Sequence, residues 1–399
     1  MLTPQQVIQS VAKKTESKIV LLVLDGLGGL PMNGKPTELE AARTPHLDAL
    51  AQQGVLGLTD PIFPGITPGS GPGHLGLFGY DPLRYEIGRG IMEALGVGME
   101  VTPRDVCCRA NFATLEDGKI TDRRAGRPPT SRNRELIAKL SQHIQRIDDV
   151  DVLLQSGEEH RFVLVLRGDG LSAKVEDADV SDVGEPPRPA VALAPEAETT
   201  ARVVTALIAQ ATEVLKDDFP ANTCLVRGFA QDPRLPSMTE LFQLTPACIA
   251  VYPMYKGIAK LVGMTVLPTT MEFHFADQVR VLQQHWDDFD FFYVHVKKTD
   301  SYGEDGNFDA KVRVIEEVDE SIPPLMSLKP DVLAVTGDHS TPARLKYHSW
   351  HPVPFLLWGA HVRPDEAQAF NERECLKGGL GRFAAQYDGV EVGEVWSVR

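Results

Sequence analysis

Three widely separated segments each drive an apolar run into a carboxylate. KIVLLVLDG reaches Asp25, FDFFYVHVKKTD reaches Asp300, and DVLAVTGDH reaches Asp338 and His339. The run before Asp25 is apolar at successive rather than alternate positions, as expected of a strand buried on both faces of a parallel sheet. In an open α/β sheet, chemistry gathers in the crevice beyond the carboxyl ends of the strands. A fourth segment, ITPGSGPGHLGLFGYDP, places Ser70 in a Gly/Pro-rich turn. Three acids at strand ends, with a serine and several histidines, make up the inventory of a two-metal phosphoryl-transfer site.

The other elements fall into three stretches. At the start, Thr3 before Pro4 reads as a helix start. Between Arg43 and Gly54 the chain reads as a helix capped by Thr44, with Pro45 in its first turn and Gly54 at a left-handed stop. A loop follows through Gly73, and then a short helix. From about Ile91 the texture changes. CRANFATL and GKITDR read as strands joined by a turn over residues 116–118. An amphipathic helix with a Ser cap covers 131–146, strands cover 151–155 and 162–167, a helix covers 196–215, and NTCLVRGF is a further strand. After Pro233 the α/β pattern returns, with strands near 263–267, 289–296, 332–335 and 353–358 and helices over 276–285 and 309–320. Acid-bearing strands on both sides of the middle stretch imply one interrupted domain. Residues 1–90 and 234–399 form the α/β part, and 91–233 form an inserted, smaller α+β domain.

At 399 residues the chain exceeds one ordinary core. Its hydrophobic fraction of 43% and charged fraction of 24% fit a globular protein. A formal charge of −15 argues against nucleic acid or an anionic membrane as the main partner. It leaves room for a small anion held in a local basic pocket. No apolar run approaches the roughly 20 residues that span a bilayer, and the N-terminus lacks a secretory pattern, so a cytoplasmic location is expected. The five cysteines, including adjacent Cys107 and Cys108, show no metal-type or disulfide-type spacing. The sequence is compatible with a homo-oligomer.

Each candidate has a bland reading. An Asp after a strand is often a cap or turn residue, a lone histidine is often structural, and Glu304 alone would be a solvated loop acid. The combination argues otherwise. Asp25, Ser70, Asp300, Glu304, Asp338, His339 and His348 supply oxygen and imidazole donors for a divalent pair without a thiolate. The Ser70 loop is neither a P-loop nor a G-x-S-x-G elbow. A serine there needs a base or metal to act as a nucleophile, and a following helix N-terminus would bind phosphate. His74, one turn on, suits either phosphate contact or structure.

LDGLGG (24–29), ARTPHLDALAQQG (42–54), TPGSGPGHLGLFGYDP (67–82), RANFAT (109–114), DRRAGR (122–127), VLVLRG (163–168), HVKKTD (295–300), GDHSTP (337–342) and HSWHPVP (348–354) occur in that order. In these the chain resembles the alkaline phosphatase superfamily, and within it the archaeal-type, cofactor-independent phosphoglycerate mutases. The resemblance spans nearly the whole chain. It implies an alkaline-phosphatase-like α/β/α sandwich with an inserted α+β domain. It also implies two divalent ions, Mn2+ by preference with Mg2+, Co2+ or Zn2+ as alternatives, and no requirement for 2,3-bisphosphoglycerate. Asp25, Ser70, Asp338 and His339 would hold one ion, and Asp300, Glu304 and His348 the other. Many relatives carry His where this chain has Glu304, and the added oxygen favours harder ions over zinc. The implied reaction interconverts 2- and 3-phosphoglycerate. Ser70 takes the phosphate, glycerate stays bound and turns over, and its other hydroxyl takes the phosphate back. The inserted domain would clamp the anionic substrate and keep water out. Arg123, Arg124, Arg127 and Arg161 are candidates for that grip, with Arg167 flanking the same strand and Lys256 contributed by the α/β part.

Alternatives on the same metal site are a phosphatase, another phosphomutase or a homoserine-kinase-like phosphotransferase. A catalytically silent metal-binding protein is the non-enzyme alternative.

Overall fold

A computed structural model describes residues 4–180 and 182–385, so Thr3 lies outside the described residues. The chain divides into two compact units, one running to Glu86 and resuming at Leu235, the other spanning Ile87–Arg234. The α/β class expected from the sequence is what the fold shows, with a mixed central sheet and a separate antiparallel sheet.

The first unit is built on an eight-stranded mixed sheet. Its order is Thr265–Val266, Pro246–Ala250, Phe291–Val296, Ile19–Leu24, Val332–Thr336, Val353–Gly359, Val55–Asp60 and Gly381–Ala384. The first five strands run parallel. Val353–Gly359 is antiparallel to both of its neighbours. Every residue of Ile19–Leu24, Phe291–Val296 and Val332–Thr336 is buried. Both faces of the sheet are covered, which is why these runs lack polar alternation. Val20, Leu22, Leu24, Phe292, Val294 and Leu333 pack on one side with Val314, Ile315 and Val318 from the helix Phe308–Glu320.

Three strands of this sheet escape sequence reading: Val55–Asp60, Pro246–Ala250 and Gly381–Ala384. Short apolar runs carry no periodicity that separates strand from buried helix. The helix after Thr44 is Pro45–Ala51, and Thr44 makes no side-chain cap bond. Nor is Gly54 a left-handed stop. A Cβ there would lie 2.5 Å from the Leu357 carbonyl, so close approach explains the glycine.

The second unit holds a sheet ordered Thr223–Ala230, Asp105–Glu116, Arg161–Arg167, Val150–Ser156 and Arg146–Ile147, with Lys119–Asp122 paired to Asp105–Glu116. Its pairs are antiparallel. Asp117 and Gly118, at φ 48° and 74°, make the tight hairpin turn. Val106, Cys108, Ala110 and Phe112 alternate onto a core formed with the helices Thr130–His143 and Glu198–Leu215. The first of these helices begins at Thr130 after Pro129, without a side-chain cap, so Ser131 is not its cap.

No helix among the described residues is long and apolar enough to cross a membrane.

Candidate metal centre

Asp25 and Asp338 follow adjacent parallel strands, and the strand on the other side of Asp25 leads to Asp300. Asp300 sits in the first turn of the short helix Lys298–Glu304, where its i,i+4 spacing places Glu304 on the same face. Thr299 donates its hydroxyl to the Asp25 carbonyl, tying that helix to the Asp25 loop. The helix Ser70–Leu77 starts at Ser70 itself, earlier than the loop reading places it. Its glycines allow close packing, for a Cβ on Gly73 would lie 2.3 Å from the Asp338 carbonyl. Ser70 thus stands at a helix N-terminus, where first-turn N–H groups lack intrahelical partners.

Two groups of donor atoms converge. Asp25, Asp338 and His339 form one, and Asp300, His339 and His348 the other, with donor atoms within 4.8 Å of one another in each. His339 Nε2 lies 3.3 Å from Asp25 Oδ1 and 3.3 Å from Asp338 Oδ2. Hydrogen bonding determines which nitrogen bears the proton. Thr341 donates its only hydroxyl proton to Asp300 Oδ1 at 2.7 Å and lies 2.9 Å from His339 Nδ1. His339 Nδ1 must therefore donate, which leaves Nε2 as a bare lone pair. Burial pushes the His339 pKa down and keeps the ring neutral. Asp25 Oδ1, Asp338 Oδ2 and His339 Nε2 are all buried without a hydrogen-bond partner. Three buried acceptors facing one another without a proton between them fit a cation, since unpaired buried polar groups are otherwise costly.

His348 repeats the logic. Its Nδ1 donates to the Pro68 carbonyl at 3.0 Å, which points the Nε2 lone pair toward Asp300 Oδ1, 3.6 Å away. The His339 and His348 rings stack with centroids 3.7 Å apart. Glu304 Oε1 stands 3.8 Å from His348 Nε2, and its side chain is 51% exposed. It lies at the rim, outside both tight donor groups. Burial raises its pKa, and the Asp300 carboxylate raises it further.

Sequence reading misses Tyr255, His295 and Lys297. The fully buried Tyr255 hydroxyl donates to Asp25 Oδ2 and lies 3.4 Å from Ser70 Oγ. Its ring stacks on His295 at 3.7 Å. The Lys297 ammonium is 3.0 Å from Asp25 Oδ2 and also bonds Asp300. Burial works against the Lys297 charge, but Asp25 and Asp300 outweigh it and raise the pKa. Burial would also raise the Asp25 pKa, yet Lys297 and the nearby histidines hold it well below the usual carboxylate range. His74 Nδ1 donates to the Ser70 carbonyl at 2.8 Å and lies 3.2 Å from Asp338 Oδ2, so it braces the Ser70 helix against the Asp338 loop. Lys256, next to Tyr255, turns elsewhere and donates to the Thr269 carbonyl at 3.3 Å.

In the second unit the arginines separate into two sets. The pairing register puts Arg109, Asn111, Arg161 and Arg227 on the sheet face opposite the apolar core. The pKa of buried His160 is pushed down to about 4 by burial and by Arg161, Arg124, Arg109 and Arg127. Arg124 and Arg127 ride on a turn in which Ala125, Gly126 and Arg127 are all left-handed, at φ 48°, 67° and 53°. Asp122 accepts from the Arg124 and Gly126 N–H groups and pins that turn. Arg123 belongs to the other set, forking onto Asp179 at 3.2 and 2.8 Å beside Arg227. Arg167 pairs with Asp105 at 2.8 Å.

Fold and centre define an α/β protein with a carboxylate–histidine site at the ends of its parallel strands. A family model for 2,3-bisphosphoglycerate-independent phosphoglycerate mutase matches residues 51–222. Probable mutases of that name from Thermotoga neapolitana and Thermus thermophilus are 54% and 55% identical over 387 and 380 residues. The alignments cover 96% and 94% of this chain and 95% and 94% of those proteins. A solved cofactor-independent phosphoglycerate mutase from Thermoplasma acidophilum is 33% identical with a TM-score of 0.73, over 96% of this chain and all of that one (100%). A Pyrococcus horikoshii structure is 31% identical with a TM-score of 0.82, over 96% and 98% of the two chains. The chain belongs to the 2,3-bisphosphoglycerate-independent phosphoglycerate mutase family.

Proposed function

We propose that this chain interconverts 2- and 3-phosphoglycerate through a phosphoserine at Ser70, without added bisphosphoglycerate. The observation that carries the reading is the set of partnerless buried acceptors, Asp25 Oδ1, Asp338 Oδ2 and His339 Nε2, converging beside a serine at a helix N-terminus. Asp25, Asp338 and His339, with Ser70, would hold one divalent ion. Asp300 and His348, with Glu304 at the rim, would hold the other. Manganese suits the mixed oxygen and imidazole donors, with Mg2+, Co2+ and Zn2+ as the alternatives. Such ions lower the pKa of a bound hydroxyl and offset charge on attacking and leaving oxygens.

The protein's own groups do the rest. The Ser70 oxygen attacks phosphorus as its hydroxyl gives up its proton, the P–O bond to glycerate breaks, and the glycerate oxygen takes up that proton. Glycerate then turns, its other hydroxyl attacks the phosphoserine and gives up its proton, the P–O bond to Ser70 breaks, and the Ser70 oxygen takes that proton. Unpaired N–H groups of the Ser70 helix receive the phosphate oxygens. Tyr255 fixes the Asp25 carboxylate beside Ser70. Arg109, Arg124, Arg127 and Arg161 supply the recognition of carboxylate and phosphate. Arg123, forked onto Asp179 through two hydrogen bonds, and Lys256, bonded to the Thr269 carbonyl, have lesser parts. Five buried free thiols suit a reducing, cytoplasmic setting.

The test is to incubate the purified protein with Mn2+ and 3-phosphoglycerate, omitting bisphosphoglycerate, and to follow 2-phosphoglycerate. Wild type should form the isomer, while Ser70→Ala should form none and keep its circular dichroism. Phosphate release without isomer would show a phosphatase instead.

A further inference from the structure

Lys311 lies within the helix Phe308–Glu320 and is fully buried, at 0% exposure. A lysine there needs a reason, because burying an ammonium is costly unless its donors are used. All three of its N–H bonds find carbonyls. Lys311 Nζ donates to Gly26 O at 2.8 Å, Gly28 O at 3.2 Å and Thr341 O at 2.9 Å. Three donations require the ammonium form, since a neutral amine has only two N–H groups.

Those carbonyls belong to two different loops. Gly26 and Gly28 follow Asp25, and Thr341 follows Asp338 and His339. The loops also meet directly, with the Thr341 N–H donating to Gly26 O at 3.2 Å. Buried Glu38 accepts from the Ala343 N–H at 2.7 Å and holds the far end of the second loop. The separation of Asp25 from Asp338 and His339 is thus held by a charge that touches none of them. The Thr341 carbonyl and hydroxyl belong to one residue, so the same anchor reaches the hydroxyl that orients His339 and Asp300.

We propose that Lys311 is a positioning residue for the metal centre, its three-way ammonium contact setting the distance between the Asp25 loop and the Asp338–His339 loop. This rests on reading those side chains as a divalent-ion site. Outer partners of ligand residues typically contribute 10- to 100-fold to metal affinity, and this one acts on both ligand loops at once.

The experiment compares full-length wild type, Lys311→Met and Ile315→Ala by titration with Mn2+, reading free Mn2+ by electron paramagnetic resonance and the fold by circular dichroism. Ile315 is a buried core residue one turn along the same helix. Lys311→Met should weaken Mn2+ binding by about 10- to 100-fold. Ile315→Ala should lower the melting temperature and leave Mn2+ affinity within about twofold, as a core cavity does. Lys311→Gln, which keeps two donors, should fall between wild type and Lys311→Met, and it carries the test if the methionine variant does not fold. Wild-type Mn2+ affinity in a Lys311 variant overturns the proposal, as does an equal loss in Ile315→Ala. A wild-type protein that binds no Mn2+ overturns the metal reading itself, an outcome distinct from both.

Discussion

The two units gather opposite charges, and they do so by different geometries. In the first, parallel strands deliver Asp25, Asp338 and the Asp300 helix to one end of the sheet, so residues hundreds of positions apart meet at strand ends. In the second, antiparallel strands alternate, and Arg109, Asn111 and Arg161 share one face because they sit two apart or directly opposite. One centre presents lone pairs that call for cations. The other presents guanidinium groups that add to burial in pushing His160 down to about 4.

The sharpest way to break this division is Asp338→Asn. It removes charge from the tightest donor group, where His339 Nε2 sits 3.3 Å from the carboxylate. Mutase turnover should fall by at least about 10³-fold, the scale of losing a preorganised transition-state contact, and Mn2+ titration should lose a site. Near wild-type activity would mean that Asp338 is only structural.

Arg161→Ala comes next and tests the other side. Its Nε is buried without a hydrogen-bond partner, so its head has donor capacity to spare. Truncating one partner of a charged contact costs about 2 kcal/mol or more, so kcat/KM should fall by about 30-fold or more. Mn2+ affinity should stay as in wild type. A joint loss of metal and activity would erase the assignment of separate roles to the two units.

How much of this is legible in the sequence follows the same contrast. Strand-end acids announce themselves, because an all-apolar run that stops at an Asp is a local pattern. Tyr255 does not, because its hydroxyl reaches Asp25 from another element and YPMYKGIAK reads locally as an ordinary helix. Lys297 sits in a Lys-Lys pair that reads as solvated charge, and Lys311 in a helix rich in charged side chains. Sequence reading puts Ser70 before a helix rather than on its first turn, since glycine and proline lower helix propensity. Packing explains two of those glycines, Gly73 against the Asp338 carbonyl and Gly76 against the Pro61 carbonyl. In DRRAGR the cluster is legible but its division is not. Arg124 and Arg127 act on His160 while Arg123 forks onto Asp179, and three left-handed residues in succession leave no sequence signature beyond one glycine.

Glu304 separates the two donor groups more gently. Its half-exposed carboxylate lies 3.8 Å from His348, so Glu304→Gln should lower activity by no more than about tenfold. Glu304→His replaces an oxygen donor with imidazole and should shift preference from Mn2+ toward Zn2+. Competition between the two ions, read by the Mn2+ displaced, decides it. Unchanged preference would place Glu304 outside the metal's reach.

The smallest expected effect is a titration. His160 has its folded pKa depressed from 6.5 to about 4, so the folded chain holds it neutral while the unfolded chain protonates near 6.5. That contribution to stability is present above pH 6.5 and is lost as pH falls toward 4. It amounts to at most about 3 kcal/mol, and less because the Arg124 and Arg127 heads are exposed and screened. An anion seated among the arginines cancels part of their field, so phosphoglycerate should move the His160 titration upward by about one unit. Imidazole carbon shifts, assigned with His160→Asn, report it directly in protein stripped of metal. A metal-free response would show the arginine face recognising its anion independently of the acidic centre. A titration that does not move when phosphoglycerate is added would take the anion away from the arginine face and leave the burial of His160 as a matter of packing alone.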